Sequence, residues 1–423
     1  GRFELVAEKI HLAGLPELPE AVLGGRLDGR FRVAEAGAEA TAELRALEGH
    51  WRDQPLSGSG AFSLTPAAMA VDGLELAAGR NRAALSARLG ESLSGRVDLA
   101  LPDLAALDAR LAGSVSGEGE LSGTRETPAI TLEVNGADLA FEEVRLAGLD
   151  AVLDLDTAQG APRSSLRVRG RELALSGRDF AGLTLTAGGT RDAHEAALVL
   201  TPGEDAALGA RLVVSGGLEP DTRWRGRITE FELGGTPAGD LALAAPLAVT
   251  LDPERRITTD RGCLEAGQAA LCVSFDGFGS GAGALKAQLS GLPLALAGPY
   301  LPSTVELEGA LGGEADIAYA ASSGGAEAVP VGTVELAIDG GGVRLTADAG
   351  DTVRIPMQRG DAQVNLAPDR YSGDVALALP GWLTLAATGE RDRGGGGALN
   401  LSFDVDLLDL AWLENFVPEL TGS

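Results

Sequence analysis

An all-β fold is the reading this sequence supports: an elongated antiparallel sheet, curled and partly open, with a hydrophobic groove and a few short amphipathic helices. Three observations carry it. Apolar and polar residues alternate with period two almost throughout, turn residues separate the alternating runs, and the apolar positions are aliphatic and small. In Leu107–Thr124, LDARLAGSVSGEGELSGT, the odd positions are Leu, Ala, Val or Gly and the even positions are nearly all polar.

The 423 residues include 60 Gly and 45% hydrophobic residues but only 4% aromatics. Compact cores lean on aromatic rings, which bury large areas. Here Leu, Ala and Val supply the apolar surface, spread along the chain. The net charge of −27, from 34 basic and 61 acidic residues, gives no electrostatic reason to bind nucleic acid. No apolar run is long enough to span a membrane as a helix, no signal peptide is visible, and the chain begins Gly1-Arg2 without a Met. We therefore read the chain as a piece of a longer protein.

The strand-like runs, in order, supply the candidate groove lining. Leu111, Val115 and Leu121 come first, then Ile130, Leu132 and Val134 between Thr131 and Glu133. Leu166 and Val168 alternate with arginines, and Leu173 and Leu175 follow. Val334, Leu336 and Ile338, then Val364 and Leu366, continue the pattern; Val375, Leu377 and Leu379 precede Leu399, Leu401, Phe403 and Val405. Turn signals such as PDT at 220–222, DPERR at 252–256 and RDRGGGG at 391–397 separate them without helical crossovers, so neighbours in sequence pair as a meander.

A second signal interrupts at intervals: Leu-Pro and a short apolar run, then a glycine-rich alternating strand. It starts at 15, 101, 292 and about 407. It divides the chain into segments 1–100, 101–291, 292–406 and a truncated 407–423. Each opens on a short amphipathic helix, near 15–23, 101–111, 292–301 and from 407; Leu101, Leu104 and Leu107 would share one helical face. These helices either gate the groove or close the sheet edge.

Cys263 and Cys272 flank Gly267 in RGCLEAGQAALC, as in a hairpin with facing arms. They are either buried free thiols or a cross-strand disulfide, which belongs to an oxidising compartment. No histidine lies near enough to complete a metal site. His11, His50 and His194 share no ligand spacing, Ser116 in GSVSG falls one place off a nucleophile elbow, and no cofactor motif is present. We expect no enzyme and no cofactor. Two arginine stripes, Arg167/Arg169/Arg171 and Arg223/Arg225/Arg227, are either a solvated outer face or a contact for an acidic partner or phosphate head groups.

Long alternating sheets serve several ends. A membrane barrel needs aromatic girdles, which are missing, and a filled sandwich needs larger inward side chains than 107–123 offers. A partly open trough suits an extended apolar guest such as an acyl chain. GEGELSGTRETPAITLEV (117–134) and LSGLPLALAGPYLPSTVELEGALGG (289–313), with the spaced cysteines before the latter, resemble the TamB family of AsmA-like bridge-like lipid transfer proteins. The resemblance implies a central segment, from the middle of a large periplasmic protein, with a β-taco groove. It implies phospholipid transport between inner and outer membranes, with inner-membrane anchoring and an Omp85-type partner through regions outside this segment. The alternatives are a scaffold for outer-membrane protein assembly and a passive β spacer.

Overall fold

The computed structural model describes residues 1–11, 21–34, 37–158, 164–204, 208–278, 282–320, 329–346, 352–392 and 399–407, and every structural statement here concerns these. It divides into two units, Gly1–Gly217 and Leu218–Ser423. The first holds β1 (Arg2–His11), β2 (Ala21–Ala34), β3 (Gly37–Trp51), β4 (Gln54–Leu64), β5 (Met69–Ala78), β6 (Asn81–Leu89) and β7 (Leu93–Leu101). It continues with β8 (Leu111–Gly123), β9 (Pro128–Phe141), β10 (Val144–Asp156), β11 (Ser164–Leu175), β12 (Arg178–Gly189), β13 (His194–Pro202) and β14 (Gly209–Leu218). Each strand pairs antiparallel with the next, as the turn signals anticipated. The turns follow from local chemistry. At Ser176-Gly177 both central residues are left-handed, with φ of 49° and 74°, as a two-residue hairpin with right-twisted arms requires.

The second unit holds β15 (Trp224–Thr236), β16 (Gly239–Leu243), β17 (Leu247–Leu251), β18 (Arg256–Thr259), β19 (Gly262–Ala266), β20 (Ala269–Phe278) and β21 (Gly283–Pro293). After a 3₁₀ helix at Leu294–Tyr300 come β22 (Val305–Ala320), β23 (Val329–Thr346), β24 (Thr352–Pro356), β25 (Arg359–Leu366), β26 (Arg370–Leu379), β27 (Leu383–Asp392) and β28 (Leu399–Leu407). From β20 to β23, and again from β25 to β28, strands pair serially; β23 pairs with both β24 and β25.

The expected helix near 292–301 exists as that 3₁₀ helix. The one near 101–111 does not form: β7 runs to Leu101, β8 starts at Leu111, and only turns lie between. Side chains from distant strands take the carbonyls a helix would use. Asn81 Nδ2 donates to Asp103 O (2.7 Å), Arg52 to Ala105 O (3.3 Å) and Trp51 Nε1 to Leu107 O (2.9 Å). A single turn of amide bonds to Leu104 O remains, too little to nucleate a helix. The helix expected near 15–23 is strand from Ala21 on, and its remainder, like the one from 407, lies outside the described residues.

Asn81 is 2% exposed and also accepts from the Asp103 amide (3.0 Å), so it pins the whole 102–110 loop. Asn81→Leu keeps the bulk but strands both Asp103 backbone groups. Loss of about 1–3 kcal/mol of local stability is expected, read as faster amide exchange at Asp103 with β11 and β12 unaffected.

The structure joins Cys263 and Cys272 as a disulfide between directly opposed positions of β19 and β20. It closes a short loop, so replacing both cysteines with serine should cost about 2–3 kcal/mol, measured by denaturant titration of the oxidised and variant chains.

Surface ion pairs link neighbouring strands on the polar face, and they set the acid response. Three side-chain bonds and a backbone bond from Arg110 hold the Asp108 carboxyl down at about 2. Arg256, Arg354 and Arg359 likewise lower Asp276, Glu308 and Asp361. Folded values below the unfolded ones mean a contribution complete above the ordinary carboxylate range and lost as pH falls through the folded values. Stability should stay flat from pH ~8 to ~5 and fall below pH ~4, a profile that thermal melts will show.

Candidate lipid-binding face

Antiparallel register turns the alternation along each strand into rows across the sheet. In the first unit one row runs Gly25, Leu47, Gly58, Leu76, Ala83, Leu99, Gly117, Val134, Ala151, Val168, Leu185, Leu198, Leu212. No polar side chain interrupts it from β2 to β14. The row beside it contains Leu85, Val97, Gly119, Leu132, Leu153 and Leu166. Strands about 4.8 Å apart make the first unit's row roughly 58 Å long. The second unit repeats the arrangement from β20 on: Leu271, Leu289, Gly313, Leu336, Ala362, Val375, Ala387, Phe403, with Val273, Ala287, Ala315, Val334 and Val364 in the adjoining row.

Nothing in either unit closes over these rows as a core would. Only eleven apolar side chains are fully buried among the described residues, and five of them are alanines (Ala21, Ala70, Ala78, Ala266, Ala269). The accessible surface is 26370 Å² for 43.0 kDa. Two compact globules of half that mass would together expose roughly 18,000 Å². Row residues stand half-open; Leu76, Leu85 and Leu271 are 37–38% exposed.

Glycine has a specific part in this face. Where a Cβ on Gly58 would sit, Leu76 Cδ2 lies 2.7 Å away; for Gly119 the neighbours are Val97 Cγ1 (3.1 Å) and Leu132 Cδ1 (3.2 Å). Each glycine makes room for the branched side chains of adjacent strands to lie against the sheet. The bare positions are therefore filled laterally, which lowers the lining and leaves the space above it open.

The sequence-derived lining falls into four groups. Val115, Leu121, Ile130, Leu132, Val134, Leu166 and Val168 lie on the half-covered face of the first unit, and Val334, Leu336, Ile338, Leu366 and Leu377 on that of the second. Val364 and Val375 share it but are more exposed, at 39% and 45%. Leu111 sits at a strand end opposite Phe141, and Leu175 beside the Ser176 turn. Leu173 and Leu379 are instead packed: Leu173 is 9% exposed opposite Phe180, and Leu379 joins Leu345 and Ile355 in a small cluster under Trp382. Leu399, Leu401, Phe403 and Val405, on β28, are 50–64% exposed. Sequence reading passed over Leu47, Leu76, Leu99, Leu185 and Leu198, although each stands in the same alternation.

Hollows in the surface do not follow the apolar rows. Two hollows of about 810 and 790 Å³ lie on the opposite, polar face, around Arg82, Glu118 and Glu133 and around Arg145, Glu172 and Asp179. They arise where alanines lie between long charged side chains. A smaller hollow of about 200 Å³ is on the apolar face, between Phe62, Leu64, Met69, Val71 and Leu89. An apolar guest is excluded from the first two by their carboxylates and guanidiniums; burial chemistry, not depth, selects the apolar rows.

The family model for the TamB N-terminal domain matches residues 2–422. The chain belongs to the TamB family. No solved structure matches it. Like the strands the sequence foretold, this TamB-family chain is all-β, and none of its described helices is long and apolar enough to cross a membrane.

Proposed function

We propose that this chain is a non-enzymatic part of a bridge-like lipid transfer protein. In this reading its apolar rows shield phospholipid acyl chains crossing the periplasm between the two membranes, and an Omp85-type partner acts with the protein at the outer membrane. One observation carries the reading: uninterrupted aliphatic rows run across each sheet and no core covers them. An enzyme site would instead gather a few polar groups at one place.

The magnitudes suit transport. Burying a methylene gains about 0.8 kcal/mol, so sixteen carbons fully covered gain on the order of 10 kcal/mol. A one-sided lining gives less than that. Because small and large aliphatic residues repeat from strand to strand, a guest meets nearly the same surface at each step, so little opposes sliding. The test is lipid extraction and mass spectrometry on the chain made in a bacterial periplasm and purified without detergent. More than one phospholipid per chain supports the reading. A ligand-free protein that captures an unfolded outer-membrane strand would replace it with the scaffold reading.

A further inference from the structure

The two arginine stripes look alike in sequence and differ in the fold. Arg223 meets Asp252 at 2.7 Å with Glu219 and Asp221 close by, and Arg225 meets Glu219 at 3.2 Å. Arg96, Arg256 and Arg344 are likewise matched to carboxylates. Arg167, Arg169 and Arg171 are exposed and, among the described residues, have no ion-pair partner.

Their surroundings explain the difference. Across β10 and β12, Arg167 faces Val152 and Thr186, and Arg171 faces Gly148 and Gly182. The Arg171 guanidinium lies over Gly148, in the space a Cβ there would need. Only Arg169 has a carboxylate opposite, Asp150, and the two form no ion pair. Alternate positions on a strand are about 6.6 Å apart, so three cations stand in line on a flat, mostly uncharged floor. Beyond Arg171 the line meets the hollow of about 790 Å³ lined by Asp138, Glu172, Asp179 and Glu204, whose carboxylates end the site for an acidic segment there.

We propose that this row docks an extended acidic segment of a partner protein, with carboxylates at alternate residues. The three strand positions repeat at the same-face spacing of an extended chain, and guanidinium–carboxylate pairing is the geometry Arg favours. Charge complementarity is the ground for the choice. Three unpaired cations on a chain of net charge −27 are a local reversal, which a narrow acidic segment can reach without meeting the rest of the surface. A broad anionic membrane cannot, since Asp154, Glu133 and Glu195 crowd the same region. The head group of a lipid on the apolar rows is also excluded, because Leu166 and Val168 present those rows on the other side of β11. The proposal is independent of what the apolar rows carry.

The test uses a fluorescent peptide of alternating Glu and Thr, and separately vesicles rich in anionic phospholipid. Anisotropy is followed at about 50 and 200 mM salt for the parent chain, the triple variant Arg167→Gln/Arg169→Gln/Arg171→Gln, and Arg96→Gln. The expected result is peptide binding that weakens with salt, drops about tenfold or more in the triple variant, and is kept in Arg96→Gln. Circular dichroism confirms that each variant folds. Equal peptide binding by parent and triple variant, no binding by the parent, or vesicle binding through the same arginines would each overturn it.

Discussion

On the proposed lipid-transfer function, Leu377→Asp is expected to empty the second unit of phospholipid and to stop transport through it, while its strands still form. Leu377 lies opposite Gly360 on β25 and Leu385 on β27, in a row that continues to Val405 on β28. A carboxylate there either stays charged beside hydrocarbon or takes up a proton, and each course costs several kcal/mol when an acyl chain covers it. The substitution costs little in the empty chain, because the position is only half-covered and the carboxylate keeps its water. Function and folding therefore separate. Mass spectrometry of extracted lipid and circular dichroism on the same preparation check both halves. Lipid retained at parental levels in this variant and in Val134→Asp would remove the apolar rows from the mechanism.

Gly117→Val is expected to destabilise the first unit through its β8–β9 pair. A Cβ at Gly117 would lie 2.7 Å from the Glu133 carbonyl oxygen and 3.2 Å from Val134 Cγ2, so backbone has to move. Overpacking of this kind costs about 1–3 kcal/mol, and the β8–β9 pair should lose amide protection across Val115 to Leu121. Gly298→Ala serves as the comparison, since nothing lies within 4 Å of a Cβ there. If Gly117→Val melted with Gly298→Ala, glycine's part in seating neighbouring side chains would be disproved.

Much of the fold was legible because period-two alternation records only which face is dry, a local property. Strand existence and antiparallel order followed from it. Phase was not legible where a strand slips. Leu166 and Val168 are even-numbered and Leu173 and Leu175 odd. Glu172, left-handed with φ 51°, and Asp138 on β9, φ 51°, absorb the extra residue. Neither is a glycine, so nothing in the sequence marked the place. The 101–111 loop misled for a related reason. Its leucines have helical spacing, and what forbids the helix comes from Trp51, Arg52 and Asn81 on other strands. The arginine stripes make the same point about charge: Arg223 and Arg167 differ only in what the register sets beside them. The part the glycines play was not legible either, because the leucines and valines that lie over them come from neighbouring strands.

The rows run at right angles to the polypeptide, and this bears on how such a protein tolerates change. An acyl chain spanning half of a hydrocarbon layer about 30 Å thick rests on roughly three strands at once. Those strands are joined by turns, so a guest's contacts come from stretches separated in sequence, such as Leu99, Gly117 and Val134, each giving one or two side chains. Trimming one leucine to alanine removes a minor share of the grip, and a neighbour can lean into the gap. A single inserted residue does far more harm, because it turns every following side chain of that strand to the wrong side. Selection on such a surface acts on spelling frame more than on letters, and a chain under that rule can drift widely while its slide stays smooth.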